Sequence, residues 1–118
     1  MAPTTDDVVV ERSVDGTSVV VFSGEHDLHS SPRVKKLLDS LLRQDDLVVA
    51  DFSSAQFVDS SILRVLLDTH AQALELGKVF RLQLDTSDIV GSAFERTGVF
   101  TAVEHVTTRE EALRQEKS

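Results

Sequence analysis

The chain has 118 residues, 41% of them hydrophobic and 27% charged, a balance typical of one soluble, folded domain. Its longest apolar runs, at 19–22 and at 62–67 around Arg64, are far shorter than the roughly 20 residues of a membrane-spanning helix. The net charge of −8 would repel nucleic-acid phosphates, and the absence of cysteine excludes disulfides, thiolate catalysis and cysteine-based zinc sites. We therefore expect no nucleic-acid binding, no membrane insertion, no secretory signal in residues 1–7, and a cytoplasmic location.

Short β-branched or apolar runs predict strands, and apolar residues at i, i+3, i+4 and i+7 predict helices. The predicted elements are strands at 8–12 and 18–22, a helix from 32, a strand at 47–52, a helix at 60–76, a strand at 79–84, a helix ending at 98, a strand at 100–106 and a final short helix from 109. This order predicts an α/β fold with a mixed, largely parallel sheet of about five strands and about four helices. We expect a single domain over 1–118, with a core of about 8–113 and disordered tails at 1–7 and 114–118.

The ends of these elements are predicted from residue types that favour turns and helix caps. They are the turn pair Asp15-Gly16, the caps Ser31 and Ser87, Pro32 at the first helical position, the helix stop Gly77, and a capping box of Thr108 with Glu111. The second long helix is expected to bury a stripe formed by Leu63, Leu66, Leu67, His70, Ala71 and Leu74. On this stripe, His70 is predicted to be a hydrogen-bonded core histidine and not a catalytic base.

The stretch 57–63, between a buried strand and the second long helix, carries the most chemical information. In one interpretation Asp59 or Ser60 only caps the helix, because the first amides of a helix have no partner within it. In the other, Ser60 is modified, and a phosphate brings about −1.5 to −2 charges to the positive end of the helix dipole. The residues alone leave both interpretations open.

Three segments occur in a matching order and spacing along nearly the whole chain, from about 8 to 113. They are Gly24-Glu25-His26-Asp27 after the second strand, Asp59-Ser60-Ser61 with Leu63 at the helix start, and Thr97-Gly98-Val99-Phe100 before the last strand. Together they resemble the STAS domain family, and within it the bacterial anti-sigma factor antagonists. The matching family patterns are a Gly-Glu-x-Asp turn, an Asp-Ser-Ser/Thr-Gly-Leu loop and a Gly-Leu-Phe step.

The resemblance implies a binding protein that is switched by phosphorylation and is not itself an enzyme. An unphosphorylated antagonist binds an anti-sigma factor and frees its sigma factor, until the serine kinase activity of that partner phosphorylates the position matched by Ser60. ATP and magnesium belong to the kinase, a separate serine phosphatase restores Ser60, and the chain needs no cofactor. Asp27 matches an acidic residue that lies near the phosphorylation loop in this family. We expect partner contacts at Asp27, Asp59, Ser61, Ile62 and Arg64.

Ile62 stands where the family motif has glycine. A β-branched residue stiffens the first helical turn and is expected to add bulk beside Ser60, which would hinder a kinase. With Val65, Ala73 and Leu76, Ile62 also widens the apolar arc of the helix to roughly two-thirds of its circumference. We expect this surplus to pack on a neighbouring helix, with a partner-binding patch as the alternative.

Other functions fit the residues less well. A STAS subunit of a membrane transporter ATPase would bind through the same helix face without phosphorylation, and Ile62 is compatible with that role. A receiver domain could use Asp51, but it needs acids after its first strand and a lysine after its last, where this chain has Arg12-Ser13 and His105-Val106-Thr107. His26, Asp27 and His29 lack the further ligands of a metal site, and there is no Gly-x-Ser-x-Gly elbow for hydrolysis.

Overall fold

The computed structural model describes residues 6–14, 16–85 and 89–114. Its elements are β1 (Asp6–Val14), β2 (Thr17–His26), α1 (Ser31–Gln44), β3 (Leu47–Val58), α2 (Ser60–Leu76), β4 (Val79–Gln83), α3 (Ile89–Thr97), α4 (Val99–Ala102), β5 (His105–Val106) and α5 (Arg109–Ala112). The predicted mixed α/β fold is confirmed. Within the described ranges, no helix combines the length and the apolar character needed to cross a bilayer.

All five strands form one sheet in the order β1-β2-β3-β4-β5. The pair β1–β2 is antiparallel, as expected for two strands that a short turn joins, and the other three pairs are parallel. The ladder between β2 and β3 runs as far as His26 opposite Val58, with register shifts on the way. Gly24, with φ 78°, stands at one of these shifts, in the left-handed region that glycine adopts without a steric penalty. The carboxyl ends of β2 and β3 therefore lie side by side, where the loops to α1 and α2 begin.

The main core lies between the sheet and the helices α1 to α4. At its centre Phe22 stacks on Phe52 with 4.3 Å between ring centroids, and Phe94 of α3 meets Phe52 edge to face at 5.3 Å. Leu38 of α1 and Leu66 of α2 are fully buried in the same cluster. Because each fully buried aliphatic or aromatic side chain contributes roughly 1.5–3 kcal/mol, this cluster is the main source of stability.

On the opposite face of the sheet, α5 covers a smaller apolar cluster. Its buried members are Val19, Leu47, Val49 and Ala112. Arg81 of β4 holds the end of this helix, because its Nη1 donates to the carbonyl oxygens of Ala112 at 2.8 Å and Arg114 at 2.9 Å. Its Nε lies 2.9 Å from a carboxylate oxygen of Glu104. Hydrogen bonds from Arg81 therefore hold α5 on the sheet together with the apolar cluster.

Arg109 makes a second attachment of α5 to this face. Its guanidinium donates to Asp51 at 2.6 Å, to Gln83 at 2.9 Å and to Glu11 at 3.0 Å. Burial opposes the charged form of Arg109, but the hydrogen bonds that its guanidinium donates to Asp51 and Glu11 outweigh this effect and raise the pKa of Arg109. Asp51 is thus a buried partner of Arg109, which gives this acid a structural role.

Several predicted boundaries are confirmed and two are wrong. The αL conformation of Gly77 ends α2, and Thr108 with Glu111 forms the predicted capping box. Ser31 is the first residue of α1 and not its cap, because Ser30 occupies the N-cap position. The strand predicted at 100–106 is confined to β5, since the residues before it form α4. The predicted Asp15 turn position and the predicted Ser87 cap lie outside the described residues.

The buried face of α2 is rotated from the predicted stripe. Its buried residues are Ile62, Leu63, Val65, Leu66, Thr69 and Ala73. Leu67, Ala71 and Leu74 are exposed, Leu74 to 66%, so their assignment to the core was wrong. His70 is half-buried, and its Nδ1 has no hydrogen-bond partner among the described residues, so the prediction of a hydrogen-bonded core histidine was wrong as well.

Candidate functional site

The start of α2 is fixed by Asp59, which follows the carboxyl end of β3. The Asp59 carboxylate accepts hydrogen bonds from the Ser61 amide at 2.9 Å, the Ser61 hydroxyl at 2.6 Å and the Ile62 amide at 3.4 Å. Burial favours a higher pKa for Asp59, but the hydrogen bonds from Ser61 and Ile62 outweigh this effect, with a smaller contribution from the nearby Leu28 backbone, and lower the pKa. Asp59 is therefore an ionised N-cap that also contacts the loop after β2.

Ser60 is the first residue of α2, and its side chain is exposed. Its hydroxyl makes no hydrogen bond to any part of the chain that the structure describes. The hydroxyls of Ser61 and Ser53 differ, because they donate to Asp59 at 2.6 Å and to Asp51 at 2.5 Å. Asp59 performs the capping that the sequence left open between two residues, and the Ser60 oxygen remains accessible.

His26 anchors the loop that faces Ser60. Its side chain is fully buried, with Nε2 3.0 Å from the Ser23 carbonyl oxygen and Nδ1 3.3 Å from the Ser30 hydroxyl. The His26 carbonyl accepts a hydrogen bond from the Asp59 amide at 3.2 Å, which joins the ends of β2 and β3. His26 is therefore part of the buried support of this loop and not of its polar surface.

Asp27 and His29 remain in this loop at the surface. The Asp27 carboxylate accepts a hydrogen bond from the His29 amide at 2.9 Å and lies 3.6 Å from the His29 ring. No group of three or more potential metal-ligating side chains occurs in the ranges that the structure describes. Asp27 is half-buried at the rim of the site, and 48% of its side-chain surface is exposed.

Two grooves flank the first turns of α2. The α1 groove, of about 510 Å³, lies between α2 and the start of α1 and is lined by Leu28, Ser31, Pro32, Lys35, Ser60, Ser61, Arg64, Val65 and Asp68. The α4 groove, of about 380 Å³, lies on the other side and is lined by Ser60, Leu63, Arg64, Leu67, Asp68, Thr97 and Val99. Ser60, Arg64 and Asp68 line both grooves and, at i, i+4 and i+8, form the ridge that separates them.

Two apolar side chains near the ridge were missed in the sequence. Leu28 lines the α1 groove with 67% of its surface exposed, and Phe57 is 47% exposed at the end of β3. Leu28 is a single apolar residue between polar neighbours, so no apolar pattern draws attention to it in the sequence. Phe57 lies beyond the predicted end of its strand. Exposed aromatic side chains are enriched in protein interfaces, so Phe57 extends the candidate surface towards β2 and β3.

The predicted site residues do not all share one environment. Asp27, Asp59 and Ser61 are half-buried, and Arg64 is exposed on the ridge. Ile62 is 0% exposed and belongs to the main core. Its side chain is therefore inside the protein and not at the surface that carries the Ser60 hydroxyl. This burial agrees with the expectation that the surplus apolar side chain packs within the protein, and not with the alternative of a partner-binding patch.

The site thus consists of a serine hydroxyl at a capped helix start, a carboxylate-bearing loop and two partly apolar grooves. Comparison with known proteins adds the family. A family model described as the STAS domain matches residues 8–112. The chain belongs to the STAS domain family. No curated protein matches this STAS domain.

Solved structures include several that are similar to this STAS domain over most of both chains. An anti-sigma factor antagonist from Mycobacterium paratuberculosis has a TM-score of 0.82 and 26% identity, with 95% of this chain and 94% of that chain covered. The anti-sigma factor antagonist SpoIIAA of Bacillus, in its unphosphorylated form, has a TM-score of 0.77 and 20% identity, covering 91% and 93%. A sulfate transporter family protein from Wolinella succinogenes has a TM-score of 0.73 and 17% identity, covering 87% and 86%. The last two show a shared fold.

Proposed function

We propose that this STAS domain is an anti-sigma factor antagonist. It binds an anti-sigma factor serine kinase in the cytoplasm through the surface around the start of α2, and this releases a sigma factor. Phosphorylation of Ser60 ends the complex. The observation that carries the proposal is the Ser60 hydroxyl, which is exposed and without a hydrogen bond to the described chain, while the neighbouring Ser61 hydroxyl is occupied. The similarity to the mycobacterial antagonist supports the same function.

The chain supplies the acceptor of the phosphoryl group, and the partner supplies the catalysis. The Ser60 hydroxyl oxygen attacks the γ-phosphorus of ATP held with magnesium on the kinase, the bond to ADP breaks, and the hydroxyl proton passes to a base of the kinase. The helix dipole favours the negative phosphate at this helix start. A separate serine phosphatase returns Ser60 to the hydroxyl form by hydrolysis.

The proposed partner surface divides into groups that bind and groups that position. Asp27 and Arg64 present charges, while Asp59 and Ser61 hold each other and fix the backbone of Ser60. Phosphorylation adds an anion that would have to be desolvated at the centre of this surface, which disfavours the complex. A single switch position can therefore control the whole interface.

The identity of the modified serine tests the proposal. The purified chain is incubated with its cognate anti-sigma kinase and ATP, and peptide mass spectrometry locates the phosphate. We expect phosphate on Ser60 alone in the parent chain, none on a Ser60→Ala variant, and phosphate still on Ser60 in a Ser61→Ala variant. Phosphate on Ser61, Ser53 or Ser54 in the parent chain would contradict the assignment.

The same partner also tests the alternative function. A STAS subunit of a transporter ATPase would bind its partner without any phosphate on Ser60. Binding that is equally tight for Ser60→Ala and Ser60→Asp, together with no modification of Ser60 by ATP and kinase, would contradict the switch and leave a transporter subunit or a plain binding module.

A further inference from the structure

We propose that Arg64 binds the phosphate of phosphorylated Ser60 within the same chain. The inference rests on the proposed function, since it takes Ser60 as the modified residue. Ser60 and Arg64 are four residues apart on α2, and both line the α1 groove and the α4 groove. Side chains at i and i+4 lie next to each other on a helix, so the arginine can reach a phosphate on Ser60 without a change of fold.

The Arg64 guanidinium is available to bind an anion. Its side chain is exposed and forms no ion pair with any residue that the structure describes. Lys35, the other cation of the α1 groove, is already held by both carboxylate oxygens of Asp39 at 2.8 Å. An arginine can also donate two parallel hydrogen bonds to phosphate oxygens, which a lysine cannot.

The acidic neighbours of Arg64 favour Ser60 as its partner after modification. Asp68 lies one turn beyond Arg64 on the same ridge, and the two are not paired in this structure. On a helix, an anion that precedes the cation by four residues forms the better pair, and a phosphate carries about −1.5 to −2 charges where a carboxylate carries one. The ionised Asp59 beside Ser60 would repel the phosphate, and Arg64 offsets this repulsion.

The consequence is a switch that changes two charges at once. In the unphosphorylated chain, the ridge presents the Arg64 cation to a partner. After phosphorylation, the arginine is paired within α2 and the ridge presents an anion. An acidic group of the partner that pairs with Arg64 therefore loses its counter-ion when Ser60 gains the phosphate.

The test uses the full chain with phosphoserine installed at position 60 during translation, so that it needs no kinase. The second pKa of the phosphate is measured by ³¹P NMR titration in the parent chain and in Arg64→Gln. An i, i+4 ion pair of about 0.4 kcal/mol corresponds to a shift of about 0.3 pH units. We expect this pKa to rise by at least that amount in Arg64→Gln and to return part of the way in Arg64→Lys.

Arg43→Gln is the matched control, because Arg43 is also an exposed helical arginine but lies in the last turn of α1. It should leave the phosphate pKa unchanged, and circular dichroism should show every variant folded. An unchanged pKa in Arg64→Gln overturns the proposal, as does a shift that appears in Lys35→Gln and not in Arg64→Gln. Failure of a kinase to modify Ser60 would remove the proposed function but would leave this titration unaffected, so the two failures are distinguishable.

Discussion

Truncation of Ile62 measures how much the side chain at the family's glycine position contributes to the free energy of unfolding. Ile62 is 0% exposed in the main core, whereas Leu74 on the same helix is 66% exposed. Ile62→Ala removes three buried carbons, worth about 2.4 kcal/mol at about 0.8 kcal/mol each, and the cavity that remains brings the loss to about 3 kcal/mol. A domain of this size is stable by about 5–15 kcal/mol, so the variant should fold but lose a large part of its margin.

Urea denaturation followed by circular dichroism gives the result. With an m-value of about 1.5 kcal/mol/M, Ile62→Ala should lower the midpoint by about 2 M, while the matched Leu74→Ala should change the free energy of unfolding by less than about 0.5 kcal/mol. Ile62→Gly should cost about 1 kcal/mol more, from the helix propensity of glycine. Because the side chain does not cover Ser60, folded Ile62→Ala should be phosphorylated at the parent rate. Equal stability of Ile62→Ala and Leu74→Ala would refute the buried position.

Three further variants test the site and its support. Ser60→Asp should bind the anti-sigma partner more weakly than Ser60→Ala in calorimetry. The loss of affinity should be smaller than the loss caused by phosphoserine, because a carboxylate carries only one charge. Equal affinities of the two variants would contradict the switch. Asp59→Asn should lower the free energy of unfolding at neutral pH. The difference in this free energy between the parent and Asp59→Asn should shrink as pH falls below 3.8, the ordinary pKa of aspartate. The reason is that the lowered pKa of Asp59 stabilises the folded state only while the carboxylate is ionised. A difference that stays constant with pH would exclude this linkage. Arg109→Met leaves the Asp51 carboxylate buried without its cation and should cost about 1–3 kcal/mol in urea denaturation, against little change for the exposed control Arg43→Met.

The features that could be predicted from the sequence are those that depend on residues close to each other along the chain. Helix starts and ends follow from side chains that satisfy nearby backbone groups, so a cap at Asp59 or Ser60 and a helix stop at Gly77 could be foreseen. The strand and helix order followed from apolar spacing in the same way. Ser60 was singled out by its match to the phosphorylated position of the family and by its place at a helix start. That its hydroxyl is free while the Ser61 hydroxyl is bound to Asp59 could be recognised only in the structure.

Long-range contacts account for the errors. Apolar residues surround most of α2, so its periodicity did not decide whether Ile62 or Leu74 faced the core, and the contacts with other elements decide it. Val99 and Val103 are both buried with helical i, i+4 spacing, but a short β-branched segment favours a strand when it is considered alone. The burial of His26 depends on Ser30 and on the aromatic ring of Phe22, 5.2 Å away, neither of which a sequence motif reveals.

The consecutive strand order has a consequence for the way the chain folds. Each strand pairs with the strand that precedes it, so the β1–β2 hairpin can form first and β3, β4 and β5 can be added in the order of their synthesis. The last helix joins strands made earlier through the packing of Ala112 on Val19, Leu47 and Val49. The hydrogen bonds of Arg109 with Glu11 and Asp51 add to this contact. We therefore expect α5 to dock last and to open first in the native state, while the start of α2 beside β2 and β3 is already formed.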